Sequence, residues 1–136
     1  RLAAPCCRLD PRVIAQEPLG FHDDNCLQMH SFAVVSDSGT LPEESSFYLS
    51  VGKPFPAVCI RTSTERPEAL DAGCFVLAGI RTEQLRQSID LAVSMQKNVS
   101  IGTPVPDYTA ENVSVKVARI IQSYPEVVNR FVWRKE

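Results

Sequence analysis

The chain alternates short, continuous apolar runs with segments in which apolar residues recur every three or four positions. The continuous runs predict strands covered on both faces, and the amphipathic segments predict helices. The predicted strands lie at 32–35, 57–60 and 75–77, with a further short one at 12–16, and the predicted helices at 23–30, 42–49, 67–71, from 82 onward, at 111–124 and from 127 onward. Strands that alternate with helices are typical of a parallel sheet flanked by helices, so the predicted fold class is Rossmann-like α/β.

The composition is that of one globular domain. The chain has 136 residues, of which 44% are hydrophobic and 22% charged, and its formal net charge is -2. We therefore expect a single domain over residues 1–136, with an irregular start at 1–8. No cluster of basic residues indicates a nucleic-acid partner or an anionic membrane, and no apolar run approaches the roughly 20 residues that cross a bilayer.

The cysteines indicate a reducing compartment and not a disulfide framework. Their number, five, is odd, and Cys59 and Cys74 lie within apolar, strand-like runs. We expect these two to be core thiols and the location to be cytoplasmic. His22 and His30 lack metal-ligand spacing with any cysteine or acid, so no metal or other cofactor is expected. The chain lacks an initiator Met, and we expect it to be a piece of a longer protein.

The candidate chemistry is concentrated at residues 36–44, Ser-Asp-Ser-Gly-Thr-Leu-Pro-Glu-Glu, which predict a strand end, a tight turn and a helix start. Unpaired N–H groups at a helix start, close backbone approach at Gly39 and hydroxyls at Ser38 and Thr40 are typical of an oxyanion site. A carboxylate one turn later, at Glu44, can accept two hydrogen bonds from a ribose diol. The simpler interpretation is a capped helix without a ligand, in which Glu43 and Glu44 favour the positive helix end.

Arg66 begins the next short helix, in the run Thr-Glu-Arg-Pro-Glu at 64–68. A cation is unfavourable at the positive end of a helix, so an arginine there requires an anionic partner. We expect that partner to be Glu65, Glu68 or a phosphate that the guanidinium binds through two hydrogen bonds. Arg61 is a second candidate, nearer the end of the preceding strand.

Taken together, residues 36–44 and 61–73 resemble the non-hydrolysing UDP-N-acetylglucosamine 2-epimerase family. The resemblance depends on the combination of Asp-Ser-Gly, a Glu pair and Thr-Glu-Arg-Pro-Glu, and it extends from residue 9 onward. The runs at 18–23 and 112–135 are similar to one branch of the family, the UDP-N-acetyl-L-fucosamine synthases, which make precursors of capsule or O-antigen.

The resemblance implies a two-domain nucleotide-sugar fold of the GT-B kind, of which this chain is the C-terminal, UDP-binding domain. The positions that contact UDP in the family match Ser38, Gly39, Glu44 and Arg66, and Phe21 belongs to a segment that lies near the uracil. Helices over 111–136 would pack on a missing N-terminal domain, and the full-length enzyme would be a homodimer. The implied reaction is epimerisation at sugar carbon 2, in which UDP is eliminated to leave a glycal and then adds back.

The chain departs from the family pattern in three ways. The carboxylates that transfer protons belong to the first domain, so no catalytic residue is expected in this chain and the chain alone is expected to be inactive. By the same resemblance, we expect the opening strand of the second domain to lie outside this chain as well. The stretch between Glu44 and Arg66 is several residues longer than usual, around 48–53, which leaves the distance between those two side chains open.

Two other functions stay open at this point. The chain could be half of a UDP-sugar glycosyltransferase, since the same UDP site serves transfer to an acceptor. It could also be a non-catalytic binding or assembly module that acts through the apolar tail near Phe131 and Trp133.

Overall fold

A computed structural model describes residues 9–97 and 102–135. The predicted irregular start at 1–8 and part of the predicted loop at 98–108 lie outside these residues. The elements are, in chain order, α1 (Phe21–His30), β1 (Val34–Ser36), α2 (Leu41–Ser50), β2 (Ala57–Cys59), α3 (Pro67–Asp71), β3 (Val76–Leu77), α4 (Thr82–Lys97), a 3-10 turn (Pro106–Tyr108), α5 (Val113–Ser123) and α6 (Pro125–Phe131). The predicted alternation of strands and helices is confirmed from α1 onward.

The sheet has three parallel strands in the order β1-β2-β3. Val34 pairs with Ala57, and Val58 pairs with Val76 on the other side of the central strand. Because parallel neighbours need a crossover, α2 leads from β1 to β2 and α3 leads from β2 to β3. This architecture confirms the predicted α/β class.

Helices cover both faces of the central strand. Ala57 and Cys59 point to one face, where they join Leu41 of α2 in an apolar cluster. Val58 points to the opposite face, where it packs with Ala92 of α4. The three β2 side chains are at most 2% exposed, so β2 is the most completely buried strand of the described chain.

Two predictions about strands are wrong. Residues 12–16 form a turn and extended coil, and they are exposed because no neighbouring strand pairs with them in the described sheet. β1 is not covered on both faces, since Phe32 before it is 71% exposed and Val35 within it is 38% exposed. A continuous apolar run indicates burial only when other elements lie on both sides, and among the described strands β1 has a neighbour only in β2.

Residues 102–105 lie across α2 and the end of α3. The N–H of Thr103 donates to the carbonyl of Ala72 at 2.8 Å, and the N–H of Val105 donates to the hydroxyl of the buried Ser46 at 2.8 Å. A Cβ at Gly102 would lie 2.0 Å from the Ala72 carbonyl oxygen, so only glycine fits this crossing without movement. The predicted core thiol of Cys74 lies under this segment, and burial raises its pKa and that of the Cys59 thiol.

α5 and α6 end the described chain with much of their apolar surface exposed. No residue of either helix is buried. The exposed apolar side chains in and after these helices include Val113, Val117, Ile120, Ile121, Phe131 and Trp133. Among the helices that the structure describes, none is long and apolar enough to cross a membrane.

Candidate functional site

Two loops meet at the carboxyl edge of the sheet. Residues 37–40 follow β1, residues 60–66 follow β2, and the N–H of Ile60 donates to the carbonyl of Ser36 at 3.0 Å. Parallel strands bring both loops to one edge, which is where ligands bind in doubly wound sheets. α2 begins at Leu41, directly after the first loop, and so confirms the predicted strand, turn and helix start at 36–44.

Hydrogen bonds connect Ser38 to Glu44 through this turn. The hydroxyl of Ser38 lies 2.9 Å from that of Thr40, which donates to Oε1 of Glu44 at 2.8 Å. Oε2 of Glu44 accepts from Nε2 of Gln28, in α1, at 3.1 Å. Since each carboxylate oxygen has more than one acceptor position, Glu44 is held in place and can still accept from ligand hydroxyls.

Gly39 leaves the middle of the turn open. An added Cβ would lie 3.9 Å from Nη1 of Arg61, which is an ordinary contact, so internal crowding does not require glycine here. Within the described part of the chain, no group accepts a hydrogen bond from the N–H of Gly39. An N–H group of this kind, next to a helix start, is a suitable donor to an oxyanion.

The acidic partner of Arg66 is Glu43, so the predicted pairing with Glu65 or Glu68 is wrong, while the third alternative, a phosphate, stays a prediction. Nε of Arg66 donates to Oε1 of Glu43 at 2.6 Å, and its Nη1 donates to the backbone carbonyl of Glu65 at 3.1 Å. The hydrogen bond with Glu43 raises the pKa of Arg66. The longer stretch around 48–53 therefore does not move Arg66 away from α2, because the Arg66 side chain contacts Glu43, the residue before Glu44.

Glu68 is paired with Tyr108, which donates its hydroxyl to Oε1. This bond lowers the pKa of Glu68 and raises the pKa of Tyr108 to about 12. No sequence motif marks Tyr108, which lies in a predicted loop 40 residues away from its partner. Its position depends on residues 102–105, which are held against α2 through the bond between Val105 and Ser46.

An open cavity of about 400 Å³ lies between α1, α2 and the segment around Tyr108. Its lining includes Phe21, Gln28, Glu43, Glu44, Tyr48 and Tyr108. The cavity brings Phe21 and Glu44 together, and Phe21 is 80% exposed. Ser38, Gly39 and Arg66 do not line this cavity; Ser38 is connected to it through Thr40 and Glu44, and Arg66 through Glu43.

Gln28 is a site residue that the sequence reasoning missed. It donates to Glu44 and to Asp24, while its own carbonyl oxygen is buried and has no hydrogen-bond partner among the described residues. A glutamine within a short helix carries no sequence signal for such a role. Over the same described ranges, no group of three or more His, Cys, Asp or Glu side chains is placed to hold a metal ion.

The fold and the site define an α/β domain of the Rossmann-like class with hydroxyls, carboxylates and arginines gathered at one edge of its sheet. Residues 2–122 match the profile of the family described as UDP-N-acetylglucosamine 2-epimerase. The chain belongs to the UDP-N-acetylglucosamine 2-epimerase family, and the family predicted from the sequence is therefore confirmed.

Curated relatives agree with this family. A UDP-N-acetylglucosamine 2-epimerase from Bacillus subtilis is 38% identical over 76 residues, which are 56% of this chain and 19% of the relative. The protein of the same name from Methanocaldococcus jannaschii is 29% identical over 82 residues, which are 60% of this chain and 21% of the relative. The one from Yersinia pestis is 35% identical over 77 residues, which are 57% of this chain and 19% of the relative. The chain thus spans about a fifth of the length of these relatives.

Proposed function

We propose that this chain is the UDP-binding domain of a UDP-N-acetylhexosamine 2-epimerase. The observation that carries the proposal is the cavity that joins Phe21 and Glu44 beside the open turn at Gly39, in a chain of this family. We assign residues 1–136 to one C-terminal domain of a larger, two-domain enzyme. The reaction, substrate and assembly proposed below are those of that larger protein.

In the proposed binding mode, UDP lies along the carboxyl edge of the sheet. The uracil stacks on the exposed ring of Phe21, and such stacking contributes about 1–3 kcal/mol per base. The ribose hydroxyls donate to Glu44, whose carboxylate is already oriented by Thr40 and Gln28. The diphosphate then reaches the N–H of Gly39 and the hydroxyl of Ser38, with Arg66 close by.

The proposed reaction is elimination followed by addition. A base removes the proton from sugar carbon 2, the bond between carbon 1 and the UDP oxygen breaks, and UDP leaves with the electron pair. The product is a glycal with a double bond between carbons 1 and 2. Protonation of carbon 2 on the other face, with return of UDP to carbon 1, completes the epimerisation.

This chemistry explains why the chain's UDP site matters to the rate. UDP is both the leaving group and the returning nucleophile, so it must stay bound while the glycal exists. Preorganised donors at Gly39, Ser38 and Arg66 stabilise the negative charge that grows on the phosphate oxygens, and removal of one such donor costs about a hundredfold in rate or more. We assign the proton-transferring groups to the N-terminal domain of the full-length enzyme.

The substrate that we propose is a UDP-N-acetyl-6-deoxyhexosamine, with UDP-N-acetylglucosamine as its competitor. The support is the resemblance of residues 18–23 and 112–135 to UDP-N-acetyl-L-fucosamine synthases. We propose on the same ground that the enzyme acts in the synthesis of capsule or O-antigen precursors. We further propose a cytoplasmic homodimer in which α5 and α6 pack on the N-terminal domain. The exposed apolar side chains of these helices, such as Ile121 and Phe131, support that arrangement.

Isotope exchange tests this function. The full-length protein that carries this chain is incubated in D₂O with UDP-N-acetyl-6-deoxyhexosamines or UDP-N-acetylglucosamine and with no acceptor. An epimerase incorporates deuterium at carbon 2 and equilibrates the two epimers. A glycosyltransferase leaves the sugar unchanged until an acceptor is added, and that outcome would overturn the proposal.

One observation favours a second candidate, a non-catalytic assembly module. Phe131 is 71% exposed and Trp133 is 62% exposed, so two large apolar side chains are accessible to a partner. An assembly module requires no UDP site. Calorimetry that detects no heat with millimolar UDP would favour it over the epimerase.

A further inference from the structure

Arg61 lies at the centre of the carboxyl edge, two residues after the end of the central strand. On one side, its Nη1 is 3.9 Å from the position that a Cβ on Gly39 would occupy. On the other side, Arg61 lines a cavity of about 440 Å³ together with Thr62, Gly79 and Gln84. The guanidinium therefore faces the loop that follows β1 and the space beside the loop that follows β3.

The charge of Arg61 has no acidic partner in the described part of the chain. Its side chain is half-buried, yet no carboxylate of residues 9–97 or 102–135 forms an ion pair with it. Asp37 lies on the same edge, since it directly follows β1, but it does not form an ion pair with the guanidinium. A guanidinium that has lost part of its water is stabilised by an anion that accepts its hydrogen bonds.

Arg66 differs from Arg61 in this respect. Nε of Arg66 donates to Glu43, so its charge is partly neutralised within the protein. The guanidinium of Arg61 donates no hydrogen bond to the described residues, and its planar set of N–H donors matches two oxygens of one phosphate. Of Arg61 and Arg66, Arg61 is the one whose guanidinium has no hydrogen-bond partner among the described residues.

We propose that Arg61 binds the outer phosphate of a nucleoside diphosphate, opposite the N–H of Gly39. This inference rests on the proposed function, in which the ribose lies at Glu44. Along the edge, the cavity at Phe21 comes first, then Glu44, then the turn at Gly39 and last Arg61. In this order, the outer phosphate of a diphosphate reaches the guanidinium, whereas a monophosphate ends at the turn. Arg61 thereby determines the preference for a diphosphate over a monophosphate.

Calorimetry with UDP and UMP tests this assignment on the 136-residue chain and its variants. Arg61→Gln is expected to lower the UDP affinity at least about tenfold, the loss of a hydrogen bond between charged groups, and to leave the UMP affinity nearly unchanged. Arg61→Lys keeps the charge but loses the planar set of donors, so its UDP affinity is expected to lie between those of the wild-type chain and Arg61→Gln. Arg86→Gln is the matched control, because Arg86 is exposed on α4 and its loss changes the net charge equally.

The outcomes separate this inference from the proposed function. In one pair of outcomes, the wild-type chain binds UDP while Arg61→Gln keeps the same UDP-to-UMP affinity ratio or loses both ligands in parallel. Either result would overturn the role of Arg61 and leave the proposed function standing. A wild-type chain that binds neither nucleotide would overturn the proposed function and this inference with it. If circular dichroism shows that Arg61→Gln is unfolded, the Lys variant decides, and an unchanged ratio in that variant contradicts the assignment.

Discussion

Nε of Arg66 donates to Oε1 of Glu43 across 2.6 Å and so joins the start of α3 to the first turn of α2. Both side chains are about one-third exposed, at 36% and 35%. The pair fixes an arginine beside Glu44 in spite of the long intervening stretch. It also gives Arg66 two competing anions, the carboxylate of Glu43 and any phosphate bound at the edge.

Separate substitution of the two partners distinguishes binding from structure. Arg66→Ala is expected to lower UDP affinity at least about tenfold, since a charged hydrogen bond to phosphate is lost. The thermal midpoint is expected to change little, because ion pairs that water still reaches contribute little. Glu43→Gln is expected to retain or increase UDP affinity, because it removes the competing carboxylate. Calorimetry measures both variants, and equal losses in both would show that the ion pair itself is what matters.

Gly39→Ala is expected to fold normally and to bind UDP less tightly. The new methyl group meets only the tip of Arg61, at 3.9 Å, but it occupies the side from which a phosphate approaches the N–H. Thermal unfolding checks the fold, and UDP calorimetry checks the affinity. Unchanged UDP affinity in a folded variant would show that no ligand approaches the turn this closely.

Gly102→Ala is the matched substitution with the opposite expected result. Its Cβ would lie 2.0 Å from the Ala72 carbonyl oxygen and 2.5 Å from the carbonyl carbon of Gly73, so backbone must move. Overpacking of this kind costs about 1–3 kcal/mol of unfolding free energy or more. Urea denaturation of the two alanine variants compares them directly, and equal midpoints would contradict the crossing of these segments.

Ser46→Ala is expected to destabilise the chain although it removes only one oxygen. The hydroxyl of this fully buried residue accepts the N–H of Val105 at 2.8 Å, and a buried N–H left without a partner costs about 1–3 kcal/mol. Ser50→Ala at the exposed end of α2 is the control, since Ser50 bonds only to the nearby carbonyl of Phe47. Urea denaturation is expected to separate the two variants, and the same midpoint for both would contradict the buried contact.

The bond between Tyr108 and Glu68 predicts a dependence of stability on pH at both extremes. The pKa of Tyr108 is raised to about 12. Its contribution to the free energy of unfolding is therefore complete below pH 10 and is lost as the pH rises through about 12. The pKa of Glu68 is lowered, so its contribution is complete above its ordinary value of 4.5 and is lost as the pH falls through the lower folded value. Ultraviolet titration of tyrosinate, with Tyr108→Phe to identify the signal, is expected to show an earlier transition in Glu68→Gln. The same transition in both backgrounds would contradict the bond.

Local patterns predicted much of this fold because they depend on neighbours in sequence. The turn at 36–44 and the helix that begins at Leu41 follow from small residues, a proline and acids in the order that helix starts favour. The buried strand Ala57–Cys59 follows from a continuous apolar run. The predicted strand at 12–16 failed because a strand needs a partner, which the pattern of one segment cannot supply.

The contacts that organise the site could not be predicted in the same way. Arg66 meets Glu43 because α2 and α3 pack together, and the sequence around Arg66 favours Glu65 or Glu68 instead. Gln28 reaches Glu44 from a different helix, 16 residues earlier in the chain. Such pairs depend on the packing of whole elements, which one sequence without its structure does not specify.

Calorimetry of the 136-residue chain with UDP tests the central claim most directly. The proposed UDP-binding domain predicts measurable heat with a dissociation constant in the millimolar range, and the loss of that heat in Arg66→Ala. An absence of heat at millimolar UDP, together with no difference between the wild-type chain and Arg66→Ala, would contradict it.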